Sequence, residues 1–327
     1  MENKKITTKK VTIKDIAKET GFTAQAVSRA LRNKEDISEK TKEIIRRTAE
    51  NLGYVKNTLA TSLRNGKSNT VAIVYDNITN PYFSIMTRHL QYFLKAKGYV
   101  LLIFTADAYF LDLATFNNIV SRNVAGIISF LDIDTDIAEL ALQQDLPIVV
   151  LGRKSIDDVS WITTAEGESG SIAAKYLLKN GCKNILHITY SLDMVCGKER
   201  YDGFIEEIRK AGLNDTHLIV LAHMPQSPLM EFLPDYLKAN KIDGIFAFND
   251  MLAYETLDIL RNENITDVKV VGIDNIQEMF RLPVKITTIG GDKKAMAQTT
   301  VDVLLEEIEN KNVASYHRVF DVFLSEA

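Results

Sequence analysis

A short helix with polar outward side chains is the first place in this chain where residue types and spacing suggest a chemistry. The helix predicted after Thr23 has small or polar side chains opposite its apolar face, namely Ala24, Gln25, Ser28, Arg29 and Arg32. Such a face can lie in the major groove of DNA, where amides and guanidinium groups bond to base edges. The alternative is an element of a small helical bundle with a solvated face, and the spacing alone leaves both interpretations open.

A second set of polar side chains lies where the predicted β-strands end. It comprises Asp76, Asn77, Thr105, Ala106, Asp107, Gly152, Arg153, Asn249, Asp250, Asp274 and Asn275. Ligands of open α/β sheets bind beyond the carboxyl ends of the strands. Carboxylates, amides and an arginine suit a polyol, whose hydroxyls both donate and accept, and an aromatic ring from Tyr82, Phe83 or Trp161 would complete such a pocket.

Several of these residues have a structural interpretation as well. Asp250 is placed to cap the helix predicted from Met251. Phe83 and Trp161 belong to residue types that are usually buried in cores. Arg200 begins a predicted helix, where an arginine is usually solvated.

No residue pattern indicates catalysis, so the sequence predicts a protein that is not an enzyme. It contains no glycine-rich phosphate loop, no zinc-binding histidine spacing and no nucleophile elbow. The five histidines form no spaced ligand pair, and His187, inside an apolar run, is expected to be a hydrogen-bonded core residue. The only cysteines, Cys182 and Cys196, predict neither a disulfide framework nor a metal site, and they favour a reducing compartment.

Charge is distributed unevenly along the 327 residues, of which 46% are apolar. Residues 1–66 hold 15 Lys and Arg against 8 Asp and Glu, whereas the remainder holds 24 against 35. This asymmetry indicates an anion-binding module joined to an acidic body. No segment approaches the roughly 18 apolar residues of a membrane span, and we expect a soluble, cytoplasmic protein.

Capping signals define the helices that would position the polar face. Thr12 is expected to cap a first helix that ends at Gly21, and Thr23 a second one. A third helix is predicted from Ser38 to Leu52, with a buried stripe of Ile44, Ile45, Ala49 and Leu52. The segment Asn57–Arg64 could add about two turns, but so short a helix is marginal in water unless it docks. A linker follows.

From Val71 onward, short apolar runs alternate with amphipathic stretches, which predicts parallel sheets in α/β domains. Eight runs begin at Val71, Val100, Ala125, Pro147, Ile185, Leu218, Asp243 and Val268, and a late one, HRVFDVFL, begins at His317. Helices are predicted over Phe83–Lys97, Ser169–Lys179, Glu199–Ala211, Met251–Arg261 and Lys293–Glu309. This number of strands suits two similar sheets better than one.

These motifs resemble those of the lactose-repressor family of bacterial transcription regulators over nearly the whole chain. The headpiece and hinge of that family resemble VTIKDIAKETGF, AVSRAL, ISEKTKEIIRRTAENLGYVKN and the spacing of Asn57, Ala60 and Leu63. The effector-binding core resembles NPYF, ERYDGF, FAFND, VVGIDN and ITTI. The headpiece resemblance is the more specific, because periplasmic sugar-binding proteins share the fold of the core.

The resemblance implies a homodimer that binds a near-palindromic double-stranded operator. Ala24, Gln25 and Arg29 would face base edges, and Thr12, Thr23, Ser28, Ser38 and Thr41 would contact phosphates. Leu63 would wedge into the minor groove beside Asn57 and Ala60, which lie in the same hinge. Arg32 joins this set from the outward face of its helix.

The resemblance also implies effector contacts by Tyr82, Phe83, Arg153, Arg200, Asn249 and Asp274. Two departures from the family pattern remove a carboxylate near the pocket, since Thr164-Ala165 replaces Asp-Asn and Gly152 replaces an Asp before Arg153. We therefore expect the effector to be a sugar or a sugar phosphate, with no other cofactor and no metal.

The sequence thus predicts an all-α helix-turn-helix headpiece over residues 1–56, a hinge helix and linker over 57–69, and an effector-binding and dimerisation core over 70–327. The core is expected to have two parallel-sheet subdomains resembling periplasmic binding proteins, approximately 70–163 with 287–312 and 164–286 with 313–327. The predicted function is a repressor of carbohydrate-utilisation genes that its effector releases from DNA in the bacterial nucleoid. The alternatives are a regulator of the same family that is co-repressed or binds a non-sugar, purine-like ligand, and a sugar-binding transport component.

Overall fold

The computed structural model describes residues 10–55, 68–106, 109–213, 216–221, 229–280, 282–310 and 313–327. Contacts divide the chain into two compact units, Met1–Lys67 and Ser68–Ala327, and each is considered by itself. Asn57, Ala60 and Leu63, three of the expected DNA contacts, lie outside the described residues, as does the predicted hinge helix. Within the described residues, no helix is long and apolar enough to cross a bilayer.

The first unit contains the helices α1 (Ile13–Thr20), α2 (Ala24–Leu31) and α3 (Glu39–Asn51). Thr12, Thr23 and Ser38 are their N-caps, as the sequence predicts. The Thr23 hydroxyl accepts from the backbone N–H of Ala26 at 3.1 Å, which satisfies one of the free donors of a helix start. Gly21 ends α1 with a φ of 74°, a left-handed conformation that glycine adopts without steric cost.

The core of this unit is formed by Ile16, Val27, Ala30, Ile45 and Ala49. The prediction that Ile44 is buried was wrong, because its side chain is 42% exposed. Lys42 lies on the buried face instead, one turn before Ile45 and two turns before Ala49, whereas Ile44 is rotated by about 100° from Ile45. The aliphatic stem of Lys42 packs inside while its ammonium reaches Glu39 at 2.7 Å.

Two six-stranded sheets organise the second unit. The first sheet, with the helices that cover it, is called lobe 1, and its strand order is β11-β5-β4-β3-β1-β2 with every neighbouring pair parallel. Its strands are β1 (Thr70–Tyr75), β2 (Val100–Thr105), β3 (Gly126–Ser129), β4 (Ile148–Leu151), β5 (Ser160–Thr164) and β11 (His317–Phe320). Its helices are α4 (Pro81–Ala96), α5 (Leu113–Val120), α6 (Thr135–Gln143) and α11 (Lys293–Glu309).

Lobe 2 repeats this arrangement with the order β12-β10-β9-β8-β6-β7. Its strands are β6 (Ile185–Thr189), β7 (His217–Val220), β8 (Gly244–Ala247), β9 (Lys269–Ile273), β10 (Thr287–Gly290) and β12 (Phe323–Ser325). Its helices are α7 (Glu166–Lys179), α8 (Val195–Lys210), α9 (Leu229–Asn240), α10 (Asp250–Asn262) and a 3₁₀ turn, Ile276–Glu278. Only the β10–β12 pair is antiparallel among the described strand pairs.

Two strands after residue 286 lie in the lobe opposite to the one that the predicted subdomains assigned to them. Thr287–Gly290 pairs with β9 in lobe 2, and His317–Phe320 pairs with β5 in lobe 1. The run HRVFDVFL is therefore not one strand, because it is interrupted at Asp321 and Val322 and continues as β12 in the other sheet. Apolar periodicity marks each half as a strand but carries no information about which sheet it joins.

Among the described residues the chain passes between the lobes at three places: after β5, after β10, and between β11 and β12. Gly291 is in contact with the other two connections. A Cβ at this position would lie 2.7 Å from Thr164 Cγ2 and 3.1 Å from the Asp321 carbonyl oxygen. The absence of a side chain at Gly291 thus lets the three connections pack together.

Candidate DNA-binding and effector-binding sites

The outward face of α2 is the candidate base-reading surface. Ala24 and Gln25 are exposed in its first turn. Arg29 donates through Nε to Asp36 at 2.7 Å, which holds the pKa of that carboxyl below its usual range. Arg32 donates to the Ser28 carbonyl oxygen at 3.0 Å and to its hydroxyl at 3.3 Å. Both arginines are therefore oriented by neighbours on the same surface.

Hydroxyls at helix starts are the candidate phosphate contacts. Thr12 donates its hydroxyl to Asp15 at 2.6 Å, and Ser38 accepts from the backbone N–H of Thr41 at 3.2 Å. Thr23, Ser38 and Thr12 are all exposed beside the N–H groups of a first helical turn. Helix N-termini attract anions through these N–H groups and the helix dipole. The geometry is suited to a phosphate backbone.

In lobe 1, the start of α4 carries two of the expected effector contacts. The side chain of Asn80 caps this helix by accepting from the N–H of Tyr82 at 3.0 Å. Phe83 stacks on Tyr75, with ring centroids 5.0 Å apart. Phe83 is thus buried in the core, and Tyr82 is half-buried at the edge of it.

Arg153 follows β4 and is 6% exposed. Its Nη1 lies 3.3 Å from Asp132 Oδ2 and 3.4 Å from the Tyr109 carbonyl oxygen. Its Nε is buried and has no hydrogen-bond partner among the described residues, and the same is true of Asp76 Oδ1. Burial raises the pKa of Asp76, against the attraction of the Arg153 charge.

Arg200 of lobe 2 is 7% exposed, so the interpretation of a solvated arginine was wrong. Its Nε donates to Glu166 at 2.6 Å and its Nη1 to the Phe248 carbonyl oxygen at 2.7 Å. The guanidinium also lies 4.5 Å from the centroid of the Phe248 ring. Two hydrogen bonds and one ring therefore fix this side chain.

Close packing of α7 on α8 explains why Glu166 and Arg200 meet. A Cβ on Gly170 would overlap the Arg200 carbonyl oxygen, and one on Gly203 would overlap that of Gly167. The two helix backbones can approach this closely only because glycine stands at both positions. The first turn of α7, which carries Glu166, is thereby held against the second and third turns of α8.

At the start of α10, the N-cap is Asn249, whereas the sequence predicts Asp250. Asn249, expected to contact the effector, is the N-cap and accepts from the N–H of Leu252 at 3.0 Å. Asp250, expected to cap, is fully buried as the first helical residue, and it accepts from Ile276 N at 2.8 Å and Thr288 Oγ1 at 2.5 Å. The amide nitrogen of Asn249 is not used by the cap.

Asp274 lies in a turn of unusual backbone conformation. Its φ is 113° and that of Asn275 is 46°, values that non-glycine residues rarely adopt and that cost roughly 1–3 kcal/mol each. Asp250 stabilises this turn, because the Asn275 N–H donates to Thr288, which donates to Asp250. Burial raises the pKa of Asp274 to about 8, while the Arg200 charge acts in the opposite direction.

Four of the six expected effector contacts are brought together. The Tyr82 hydroxyl would lie 3.6 Å from a Cβ on Gly152, the residue before Arg153. Its pKa is raised by burial and also responds to the charges of Asp274, Glu166, Arg200 and Arg153. Trp161 is not part of this group, because it stacks on His317 at 4.6 Å and packs against another core cluster.

Sequence reasoning missed three charged members of the site. Glu166 pairs with Arg200, Asp132 pairs with Arg153, and Lys293 is 5% exposed with its Nζ 3.4 Å from the Asn275 carbonyl oxygen. Asp132 follows the apolar run that begins at Ala125, and that position was the available signal, whereas Glu166 follows β5, which the apolar pattern did not predict. No signal in the sequence pointed to Lys293. A lysine in the first turn of a helix is unfavourable with the helix dipole, so a buried lysine is not expected there.

Comparison with known proteins gives similar relatives along the whole chain. Residues 12–57 match the family described as bacterial regulatory proteins, lacI family, and residues 174–323 match the periplasmic binding protein-like domain. The HTH-type transcriptional repressor PurR of Photobacterium profundum is 24% identical over 321 residues, which are 95% of each chain.

Solved structures give the same result for the fold. A periplasmic binding protein/LacI transcriptional regulator from Alkaliphilus metalliredigens QYMF, complexed with D-xylulofuranose, is 27% identical with a TM-score of 0.70, over 79% of this chain and 98% of that one. The lac repressor dimer bound to operator and the anti-inducer ONPF has a TM-score of 0.78 over 97% and 98%, and at 19% identity it supports the fold alone.

Proposed function

This chain belongs to the lactose-repressor family of bacterial transcription regulators, and on that premise we propose that it represses carbohydrate-utilisation genes until a sugar or sugar phosphate releases it from its operator. It is a DNA-binding regulator that responds to a ligand. It acts by binding and not by catalysis. The observation that carries the choice of a sugar-type effector is the pair of buried arginines, Arg153 and Arg200, each bonded to a carboxylate.

The effector binds between the lobes and changes the angle between them. Tyr82 and Arg153 come from lobe 1, whereas Arg200 and Asp274 come from lobe 2. A ligand that bonds to both sets favours one relative position of the lobes. Such a ligand shifts operator binding only by its preference for that state, typically about 1–3 kcal/mol.

On the DNA side, α2 enters the major groove and Gln25 and Arg29 contact base edges. Each good bidentate contact discriminates by about 1–3 kcal/mol against the wrong base. Ala24 faces the same groove, and Thr12, Thr23, Ser28, Ser38, Thr41 and Arg32 position the headpiece. Asn57, Ala60 and Leu63 are proposed to act in the minor groove.

The regulator is proposed to be a homodimer that joins through the edge strands of its sheets. Val100, Leu102 and Ile103 on β2 are between 36% and 54% exposed, and Leu218 and Val220 on β7 are 37% and 41% exposed. Apolar edge strands of this kind are normally covered by a partner. A second copy would cover them in both lobes and would present two headpieces to a near-palindromic operator.

The test is fluorescence anisotropy with double-stranded DNA selected from a random pool, at two salt concentrations and with a panel of sugars. We expect binding to weaken steeply with salt, because phosphate contacts release counterions. A sugar effector releases the DNA. Tighter binding with a purine would instead support the co-repressed alternative, and salt-independent binding would contradict the DNA-binding role proposed for the α2 face.

A further inference from the structure

Every buried cation in the described part of the effector site already has a partner. Arg153 is paired with Asp132 at 3.3 Å, and Arg200 is paired with Glu166 at 2.6 Å. Lys293, the third buried cation of this site, is directed to the Asn275 carbonyl oxygen at 3.4 Å and to Glu278 at 3.5 Å. A phosphate would have to displace a protein oxygen from one of these cations.

Asp76 and Asp274 add negative charge when they are ionised. Burial raises the pKa of both side chains. Even when both are protonated, each arginine keeps one carboxyl partner, Asp132 for Arg153 and Glu166 for Arg200. An anion would therefore compete with a protein carboxylate for each of the two arginines.

Two of the helix N-termini near the site, those of α7 and α10, already carry a carboxylate. Glu166 is the first residue of α7 and Asp250 the first residue of α10, so each helix already has a carboxylate in its first turn. The cap of α10 is also taken, by the side chain of Asn249. Backbone N–H groups that could hold a phosphate at these helix ends are thus opposed by protein carboxylates.

Two buried atoms of opposite hydrogen-bonding character remain without partners in the described part of the site. Arg153 Nε is a donor, and Asp76 Oδ1 is an acceptor. Asp76 directly follows β1 and Arg153 follows β4, two strands away in the same parallel sheet, so both residues lie at the carboxyl edge of lobe 1. A hydroxyl group can accept from one and donate to the other, whereas a phosphate oxygen could only accept.

We infer that the effector is an uncharged polyol, one hydroxyl of which accepts from Arg153 Nε and donates to Asp76 Oδ1, and that the phosphate ester of the same sugar is excluded. This inference rests on the proposed function and narrows its effector class. Since like charges placed together in an interface cost several kcal/mol, discrimination against the ester should be about 100-fold or more.

The first arm of the test compares matched sugars with full-length protein: D-ribose with ribose 5-phosphate, D-fructose with fructose 1-phosphate, and D-glucose with glucose 6-phosphate. Thermal shift and calorimetry give the affinity, and operator anisotropy is measured on the same samples. We expect the neutral member of one pair to bind at least about 100-fold more tightly than its ester. An ester that binds equally or more tightly overturns the inference.

The second arm needs no sugar and uses inorganic phosphate against chloride at equal ionic strength. Asp132→Asn frees Arg153, and Asp136→Asn removes the same charge from an exposed position of α6. Phosphate should raise the melting temperature of Asp132→Asn more than that of wild type or Asp136→Asn. Phosphate bound at the headpiece would raise the melting temperature of all three proteins equally. An equal rise in all three proteins overturns the inference.

The two arms also separate this inference from the proposed function. Absence of operator binding in the anisotropy measurement would refute the proposed function as a DNA-binding regulator. The affinities for the sugars would still show whether the site prefers an uncharged ligand. Retained operator binding with a preference for the esters would refute only the inference about charge.

Discussion

Arg200 shows which properties of a single residue could be predicted from the sequence and which could not. Its type suggested a ligand contact only through family resemblance, because its position at a helix start is typical of a solvated side chain. Its partner Glu166 lies 34 residues away, and nothing in local spacing links the two. The N-cap of α10 was misplaced for the same reason, since Asn249 and Asp250 can both cap a helix and the partners of Asp250, Thr288 and Ile276, lie far away in the sequence.

Neutralising Glu166 should destabilise lobe 2. Glu166→Gln leaves the buried Arg200 charge without its counterion, and removal of one partner of a buried pair typically costs about 3–5 kcal/mol. Urea denaturation followed by circular dichroism measures the change. Glu168→Gln, at an exposed position on the same helix, should lie within about 0.5 kcal/mol of wild type. Equal stability of the two variants would mean that the Arg200 charge does not depend on Glu166.

Asp274 should make the stability of the core depend on pH. Its pKa is raised by burial to about 8, so between the usual aspartate range and pH 8 the folded protein keeps a proton that the unfolded chain has lost. The free energy of unfolding therefore falls as pH rises from about 4 to 8. Urea denaturation at pH 5 and pH 8 should show a smaller fall in Asp274→Asn than in wild type. An equal fall in both proteins would contradict this origin.

At the scale of elements, the alternation of helices and strands was predictable, but the pairing was not. Lys293–Glu309 was predicted with the observed bounds, and Ser169–Lys179 lacked only the first turn of α7. β5 and β10 were missed as strands because their Ser and Thr residues interrupt the apolar run. The crossing of α7 and α8 depends on glycines in two different helices, and their contact appears only in three dimensions.

That crossing predicts an asymmetric response to alanine. Gly203→Ala places a methyl group against the Gly167 carbonyl oxygen and should destabilise the core by about 2 kcal/mol or more. A Cβ on Gly167 would lie 3.6 Å from the Glu199 carbonyl oxygen, an ordinary contact. Gly167→Ala should therefore be neutral or stabilising by up to about 1 kcal/mol. Thermal unfolding of both variants distinguishes these outcomes, and equal effects would contradict the close approach.

For the molecule as a whole, the exposed edge strand β2 predicts self-association. Ile103→Lys places a charge on the proposed dimer surface and should convert dimer to monomer while weakening operator binding. Leu142→Lys changes the most exposed apolar side chain of α6, 82% exposed and outside any edge strand, and should leave the dimer intact. Light scattering coupled to size exclusion measures the mass. A dimeric Ile103→Lys variant would exclude this edge of lobe 1.

The last two strands of the described chain, β11 and β12, complete different sheets, and this has a consequence for synthesis on the ribosome. β11 completes the sheet of lobe 1 and β12 that of lobe 2, and both lie within residues 317–325. Each nascent lobe therefore waits for the same short segment, although most of lobe 1 is translated long before lobe 2. A ribosome that stalls before this segment would expose an unpaired strand edge in both lobes at once, a state open to chaperones and proteases.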